Sequence, residues 1–227
     1  ESDERWGKLW ITRAGMLRQL LRFHQALRWS NKALQTARRF GWRQVMPESL
    51  REQGLALIGM KQPADAAQYL EELEGWAAEE QRVDLLAHAH RALGVIAAQH
   101  NPARANLLFD RALNEYDLVD DEVGIANTWC DMVKHLHLPE EDKERLLRQA
   151  LQIFQRQQRP RNTAFCWNHL AECARQRGDL KSAEEGYIRA IQLGDLTGDD
   201  VSVEQLNLSL VHLRRGLFLD ANRWAEA

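Results

Sequence analysis

Small residues return along this chain at a nearly constant interval, and each opens a run of apolar side chains spaced by four and then three. Ala26, Ala66, Ala105, Ala183 and Ala221 mark the interval, with Lys143 in the fourth place, and the successive gaps are 40, 39, 38, 40 and 38 residues. Between these marks and Ala33, Leu73, Ala112, Ala150 and Ala190 stand Ser30, Leu70, Phe109, Leu147 and Tyr187. Steps of four and three place side chains on one face of a helix, so every mark predicts a helix with a buried stripe. A second stripe precedes each mark: Trp10, Ala14 and Leu17; Leu50, Gly54 and Leu57; His90, Leu93, Gly94 and Ala97; Trp167, Leu170, Ala171 and Ala174; Leu208 and Ser209. Turns such as "GMKQPAD", "QHNPA" and "RQRGD" separate the two stripes, so each unit predicts a pair of helices. The fourth unit fits least well, because it aligns only with Trp129 at the stripe's first position and Lys143 in place of a small residue. A locally looser hairpin is expected there.

Bulk properties agree with a helical chain. Of 227 residues 44% are hydrophobic and 28% charged, with 13 Gly and only 5 Pro. No run approaches the roughly 18 apolar residues that a membrane-spanning helix needs, so no membrane role is expected. Three cysteines, an odd number, fit a reducing cytoplasmic setting better than a disulfide framework. Net charge is -3, but unevenly spread: residues 1–61 hold 12 Lys and Arg against 5 Asp and Glu, a net of +7, and the remainder 18 against 28, a net of -10. The first quarter therefore expects an acidic neighbour, or simply presents a solvated basic helix face.

Trp167, Leu170, Ala171, Ala174, Gly178, Ala183, Tyr187 and Ala190 together resemble the signature of the tetratricopeptide repeat. That repeat usually has 34 residues, whereas the unit here averages about 39. Long units of this kind resemble the sensor regions of bacterial regulators of the maltose-activator type. The resemblance covers nearly the whole chain and implies an all-α fold, a right-handed α-α superhelix of about five and a half hairpins forming one domain over residues 1–227. The absence of an initiator Met and the truncated sixth hairpin, ending at "NRWAEA", imply a piece of a longer protein with flanking domains.

The resemblance also implies a concave surface lined by the first helix of each hairpin, because single hairpins cannot bury their apolar face and must stack. Carried across residue by residue, this groove takes Lys8, Ile11, Arg18 and Gln19 from the first unit and Glu48 and Arg51 from the second. It takes His88 and Arg91 from the third, Asn127, Lys134 and His137 from the fourth, Asn168, Glu172 and Arg175 from the fifth, and Arg214 from the sixth. Cations outnumber acids, which suits a protein or peptide partner carrying carboxylates, since guanidinium groups pair with them bidentately.

Other chemistry has less support. Cys166, His169 and Cys173 fall at i, i+3 and i+7 on one helical stripe and could hold zinc if Cys130 supplied a fourth ligand; the alternative packs the thiols as small apolar side chains. The pairs His88/His90 and His135/His137 diverge by roughly 200° around a helix axis and cannot chelate as pairs. No phosphate-binding loop, dinucleotide fingerprint, nucleophile elbow or zinc-protease helix occurs, so no catalytic residue and no cofactor are expected. The leading expectation is a non-enzymatic scaffold or sensing segment. A sensor of a small molecule or signalling peptide, with a pocket at Phe165, Leu206 and Leu210, is the alternative. The third reading is nucleic-acid binding through Arg18, Arg22, Arg38 and Arg39, which would weaken steeply with salt.

Overall fold

The computed structural model describes residues 3–226. Among these residues there are twelve helices and no strand: α1 (Glu4–Gln19), α2 (Phe23–Phe40), α3 (Val45–Gly59), α4 (Pro63–Glu79), α5 (Val83–Ala97), α6 (Pro102–Leu118), α7 (Glu122–His135), α8 (Glu140–Arg156), α9 (Pro160–Gln176), α10 (Leu180–Thr197), α11 (Ser202–Arg214) and α12 (Phe218–Glu226). No helix of the described residues is long and apolar enough to cross a membrane. Helices alternate as first and second members of hairpins, and the sequence marks lock onto them. Ala26, Ala66, Ala105, Lys143, Ala183 and Ala221 are each the fourth residue of α2, α4, α6, α8, α10 and α12. The five alanines are buried. Lys143 cannot be, and its ammonium reaches Glu140 at 2.6 Å.

Contacts divide the chain into two units, Glu1–Gly124 and Ile125–Ala227. In the first, Leu50, Leu70, Leu73, Leu85, Leu93 and Leu108 form one buried cluster. In the second, Ala171, Ala174, Ala183, Tyr187, Ile191, Leu208 and Val211 form another. Burying such side chains yields about 25 cal/mol per Å² of apolar surface and is the main force holding each stack.

Two glycines, Gly54 on α3 and Gly94 on α5, show why the stripe of the first helix needs a small residue. A Cβ on Gly54 would lie 2.6 Å from Leu70 Cγ, and one on Gly94 would lie 2.8 Å from Phe109 Cε1. Leu70 and Phe109 are the bulky residues that follow the marks in α4 and α6. The pattern small-on-α3 and large-on-α4 is thus a single packing joint, repeated between α5 and α6.

The turns repeat one geometry as well. Leu21, Lys61, Gln81, Asp120 and Gln158 adopt left-handed backbone at φ 51° to 59°, as do Gly41, Gly178, Gly198 and Gly216. In each case the next N–H returns to a carbonyl five residues back, as with Gln62 to Leu57 at 2.9 Å and Asp179 to Ala174 at 3.0 Å. This closure satisfies carbonyls that the ending helix leaves open. Where a second helix begins with Pro63 or Pro102, and where α9 begins with Pro160, the missing N–H costs nothing.

Candidate inner-face binding site

First helices meet one another in the first unit: α1 packs on α3 and α3 on α5. Their shared surface holds a cavity of about 550 Å³ lined by Lys8, Ile11, Arg18, Gln19, Glu48 and Arg51, all expected at the groove, together with Glu52. Glu52 is the addition that sequence reasoning missed. Its carboxylate is buried to 3% exposure and accepts from Arg18 Nε at 2.8 Å and from Arg51 at 3.4 Å, while Arg51 also pairs with Glu48 at 2.8 Å. Lys8 donates only to the neutral amide of Gln44, at 2.9 Å. Arg51 Nε is buried and has no hydrogen-bond partner.

His88 and Arg91 continue this surface on α5. His88 sits 2.6 Å from the Tyr116 hydroxyl, and burial, reinforced by the Arg51 and Arg91 guanidiniums, holds its pKa down to about 3. His90 points elsewhere, as the helix angle requires: its ring nitrogens lie 2.7 Å from Glu115 and 3.1 Å from Glu74. Burial works against its charge, but those two carboxylates prevail and its pKa is raised.

The two histidines therefore respond to acid with opposite sign. His88 is held neutral, so its stabilising contribution is complete above the ordinary imidazole value near 6.5 and is lost as pH falls from there toward 3. His90 contributes below 6.5 and loses that contribution as pH rises through its raised value. Urea unfolding at pH 7.5 and 5.0 should show a His88-dependent loss of about 1 to 2 kcal/mol at the lower pH. His88→Gln should remove that part of the acid sensitivity; an unaltered pH slope would defeat the assignment.

In the second unit the groove candidates lie on α7, α9 and α11, apart from His137, which follows the end of α7. Asn127 accepts from Asn162 at 2.9 Å. Glu172 is the hub of α9, accepting from Arg175 Nε at 2.8 Å, Gln176 at 2.9 Å and the Tyr187 hydroxyl at 2.8 Å. Arg175 foremost, then Gln176 and Tyr187, hold its carboxyl at about 2 against the opposing effect of burial. Asn168 Oδ1 is buried without a partner. Lys134, His137 and Arg214 are exposed. Of the alternative pocket, Phe165 packs on the His169 ring at 4.2 Å between centroids, while Leu206 lines a hollow of about 420 Å³ with Val201, Gln205 and Trp224.

Cys130, Cys166 and Cys173 are buried and form no disulfide, with the first two sulfurs 3.9 Å apart. Burial first, then Glu140, pushes the Cys173 thiol up to about 11. Burial and the Lys134 and Lys143 ammoniums lower the His169 pKa, and those cations disfavour a second positive charge nearby. Among the described residues no group of three or more His, Cys, Asp or Glu could hold a metal ion.

Part of the acidic neighbour expected for the basic first quarter lies within the same chain. Arg38 pairs with Glu72 at 2.5 Å and Arg43 with Glu80, both acids beyond residue 61, while Arg18 pairs with Glu52 inside the first quarter itself. Each pair joins one hairpin to the next. Arg18 and Arg38, two of the four cations of the nucleic-acid reading, are committed to them.

No protein-family model matches the chain, and no curated protein matches it. Solved structures do. The chain is similar to BtubC (BKLC) from P. vanneervenii, with a TM-score of 0.71 at 17% identity over 90% of this chain and 88% of that one. It is similar to NprR in complex with its cognate peptide NprX, at 0.65 and 13% identity, covering 97% of this chain and 65% of that one. A third likeness is a signal transduction ATPase with numerous domains and a tetratricopeptide repeat sensor, PH0952 from Pyrococcus horikoshii, at 0.68 and 12% identity over 98% of this chain and 36% of that one. At such low identities these matches establish architecture alone, and that architecture is the all-α tetratricopeptide-like solenoid of helical hairpins.

Proposed function

We propose that this chain is a non-enzymatic scaffold or sensing segment that binds a protein or peptide along the inner faces of its first helices. Residues 1–227 would act as one repeat domain of a larger cytoplasmic regulatory or signalling protein, as the 36% and 65% coverage of two similar chains suggests. The observation that carries this reading is unspent hydrogen-bonding capacity where the groove was expected. Arg51 Nε and Asn168 Oδ1 are buried without partners. An extended peptide offers alternating C=O and N–H groups, and buried polar atoms left without a partner cost about 1 to 3 kcal/mol each. A backbone carbonyl would satisfy the first, and a backbone N–H the second. NprR, whose structure holds a cognate peptide, supports the same use of a similar fold.

The partner's charge is read from what remains free. Arg18, Arg51 and Arg175 already hold the internal carboxylates Glu52, Glu48 and Glu172. Lys8 holds only a neutral amide, so the cavity keeps an uncompensated cation that suits an Asp, Glu or terminal carboxylate.

Calorimetry with hits from an array of random decapeptides tests this. Lys8→Ala should weaken binding of acidic hits by about three- to tenfold, and Asn168→Ala should weaken hits regardless of charge. Peptides unaffected by both changes, or saturable binding confined to a metabolite panel, would overturn the proposal. Loss of binding between 50 and 200 mM salt by orders of magnitude on a DNA duplex would favour the nucleic-acid reading instead.

A further inference from the structure

A second cavity, of about 690 Å³, opens in the second unit between the end of α8, the start of α9 and the second half of α10, and none of the groove candidates lines it. Phe154, Trp167, Leu193 and Leu196 supply its apolar wall, and three glutamine amides sit among them. Two guanidiniums line it, those of Arg159 and Arg189, and no carboxylate does. Arg189 lies over the Trp167 ring, 4.3 Å from its centroid. We infer that this cavity binds a small amphipathic carboxylate: an aliphatic or aromatic body laid against Phe154, Trp167, Leu193 and Leu196, with its carboxylate between Arg159 and Arg189.

Three observations carry the inference. The first is the contrast in charge pairing. Elsewhere in the same unit Arg145, Arg161, Arg175, Arg177 and Arg215 each hold an acidic side chain. Among the described residues Arg159 and Arg189 hold none, although both border the larger of the hollows described here. A cation left unpaired beside an apolar wall is ready for an external anion, because the charge-assisted contact is not already made within the chain. The second is the start of α9 at the cavity floor, where Pro160 and Thr163 line the site and no side chain caps the helix. Its open N–H groups and dipole favour a negative group at that end.

The third is the wall itself. Arg189, Leu193 and Leu196 fall at i, i+4 and i+7 on one face of α10, and Leu196 is 77% exposed. An exposed leucine beside a concave apolar surface gains burial from a hydrocarbon body but gains nothing from an ion alone. The volume lies within the roughly 300 to 1,000 Å³ of small-molecule sites. This inference is independent of the inner-face proposal, since it uses none of the residues assigned there.

Decanoate, decanol, decyltrimethylammonium and acetate, titrated separately into the whole chain by calorimetry, test the two halves of the recognition. Decanoate should bind at one site per chain; decanol should bind at least about tenfold more weakly, acetate and the ammonium not measurably. Arg159→Gln with Arg189→Gln should reduce decanoate affinity by about tenfold or more. Leu196→Glu, on an exposed side chain and so safe for folding, should do the same by placing a like charge at the mouth. Leu219→Glu, on the 89%-exposed Leu219 of α12, should leave affinity unchanged. Equal binding of decanoate and the ammonium, indifference to Leu196→Glu, a loss caused by Leu219→Glu, or no saturable binding would each overturn the inference.

Discussion

Phe109→Ala is expected to destabilise the first unit by about 3 to 5 kcal/mol, the range for emptying a large aromatic site in a core. Phe109 is fully buried and lies against Gly94, where the backbone of α5 leaves room for its ring. Neither helix can close the gap easily, because α5 and α6 are also held by Leu93 and Leu108 in the shared cluster. The same joint makes a second measurement decisive. In the native background Gly94→Ala should cost about 1 to 3 kcal/mol, since its Cβ would meet the Phe109 ring at 2.8 Å and force it aside. In the Phe109→Ala background that clash is gone, and the better helix propensity of Ala, about 1 kcal/mol, should turn the cost into a gain. A double-mutant cycle by urea unfolding reads the coupling. Additive changes would show that the two residues do not share a joint.

Glu52→Ala should be nearly as damaging, at about 2 to 3 kcal/mol. It strands the guanidiniums of Arg18 and Arg51, which have side-chain exposures of 27% and 25%. Breaking a fully buried pair costs about 3 to 5 kcal/mol, and the partial solvent access of both arginines reduces the loss. Glu48 remains for Arg51 but Arg18 has no other acid in its ion pairs. The change has a functional face too. The Arg18 cation released into the 550 Å³ cavity should strengthen binding of acidic peptides by about tenfold while stability falls. Opposite movement of the two quantities distinguishes an internal counter-ion from an ordinary core residue; a fall in both would assign Glu52 a structural role only.

Much of the architecture was legible because repetition averages out local ambiguity. One alanine four residues into a helix says little, but Ala26, Ala66, Ala105, Ala183 and Ala221 at a common interval fix five helix starts together. The candidate groove was less legible. Lys8, Arg18 and Arg51 line one cavity. Their partners did not show, because Glu52 is 34 residues from Arg18 and is joined to it only when α1 packs against α3. Pairing across hairpins also hides in the uneven charge: Arg38 and Glu72 are 34 residues apart, close to one repeat length, a spacing that could have been sought. Arg175 with Glu172, an i, i+3 pair on α9, needed no fold to be found. The carboxylate cavity was not visible at all, since its walls come from three helices and its mark is a missing acid.

Of the nine left-handed helix endings among the described residues, five place a side chain where glycine alone is at ease: Leu21, Lys61, Gln81, Asp120 and Gln158. A left-handed residue with a Cβ carries roughly 1 kcal/mol of avoidable strain. None of these positions lines either cavity, apart from Gln158 in the larger. Heat tolerance in this protein should therefore rise on editing its corners, with glycine at the other four, without altering a residue that lines either cavity.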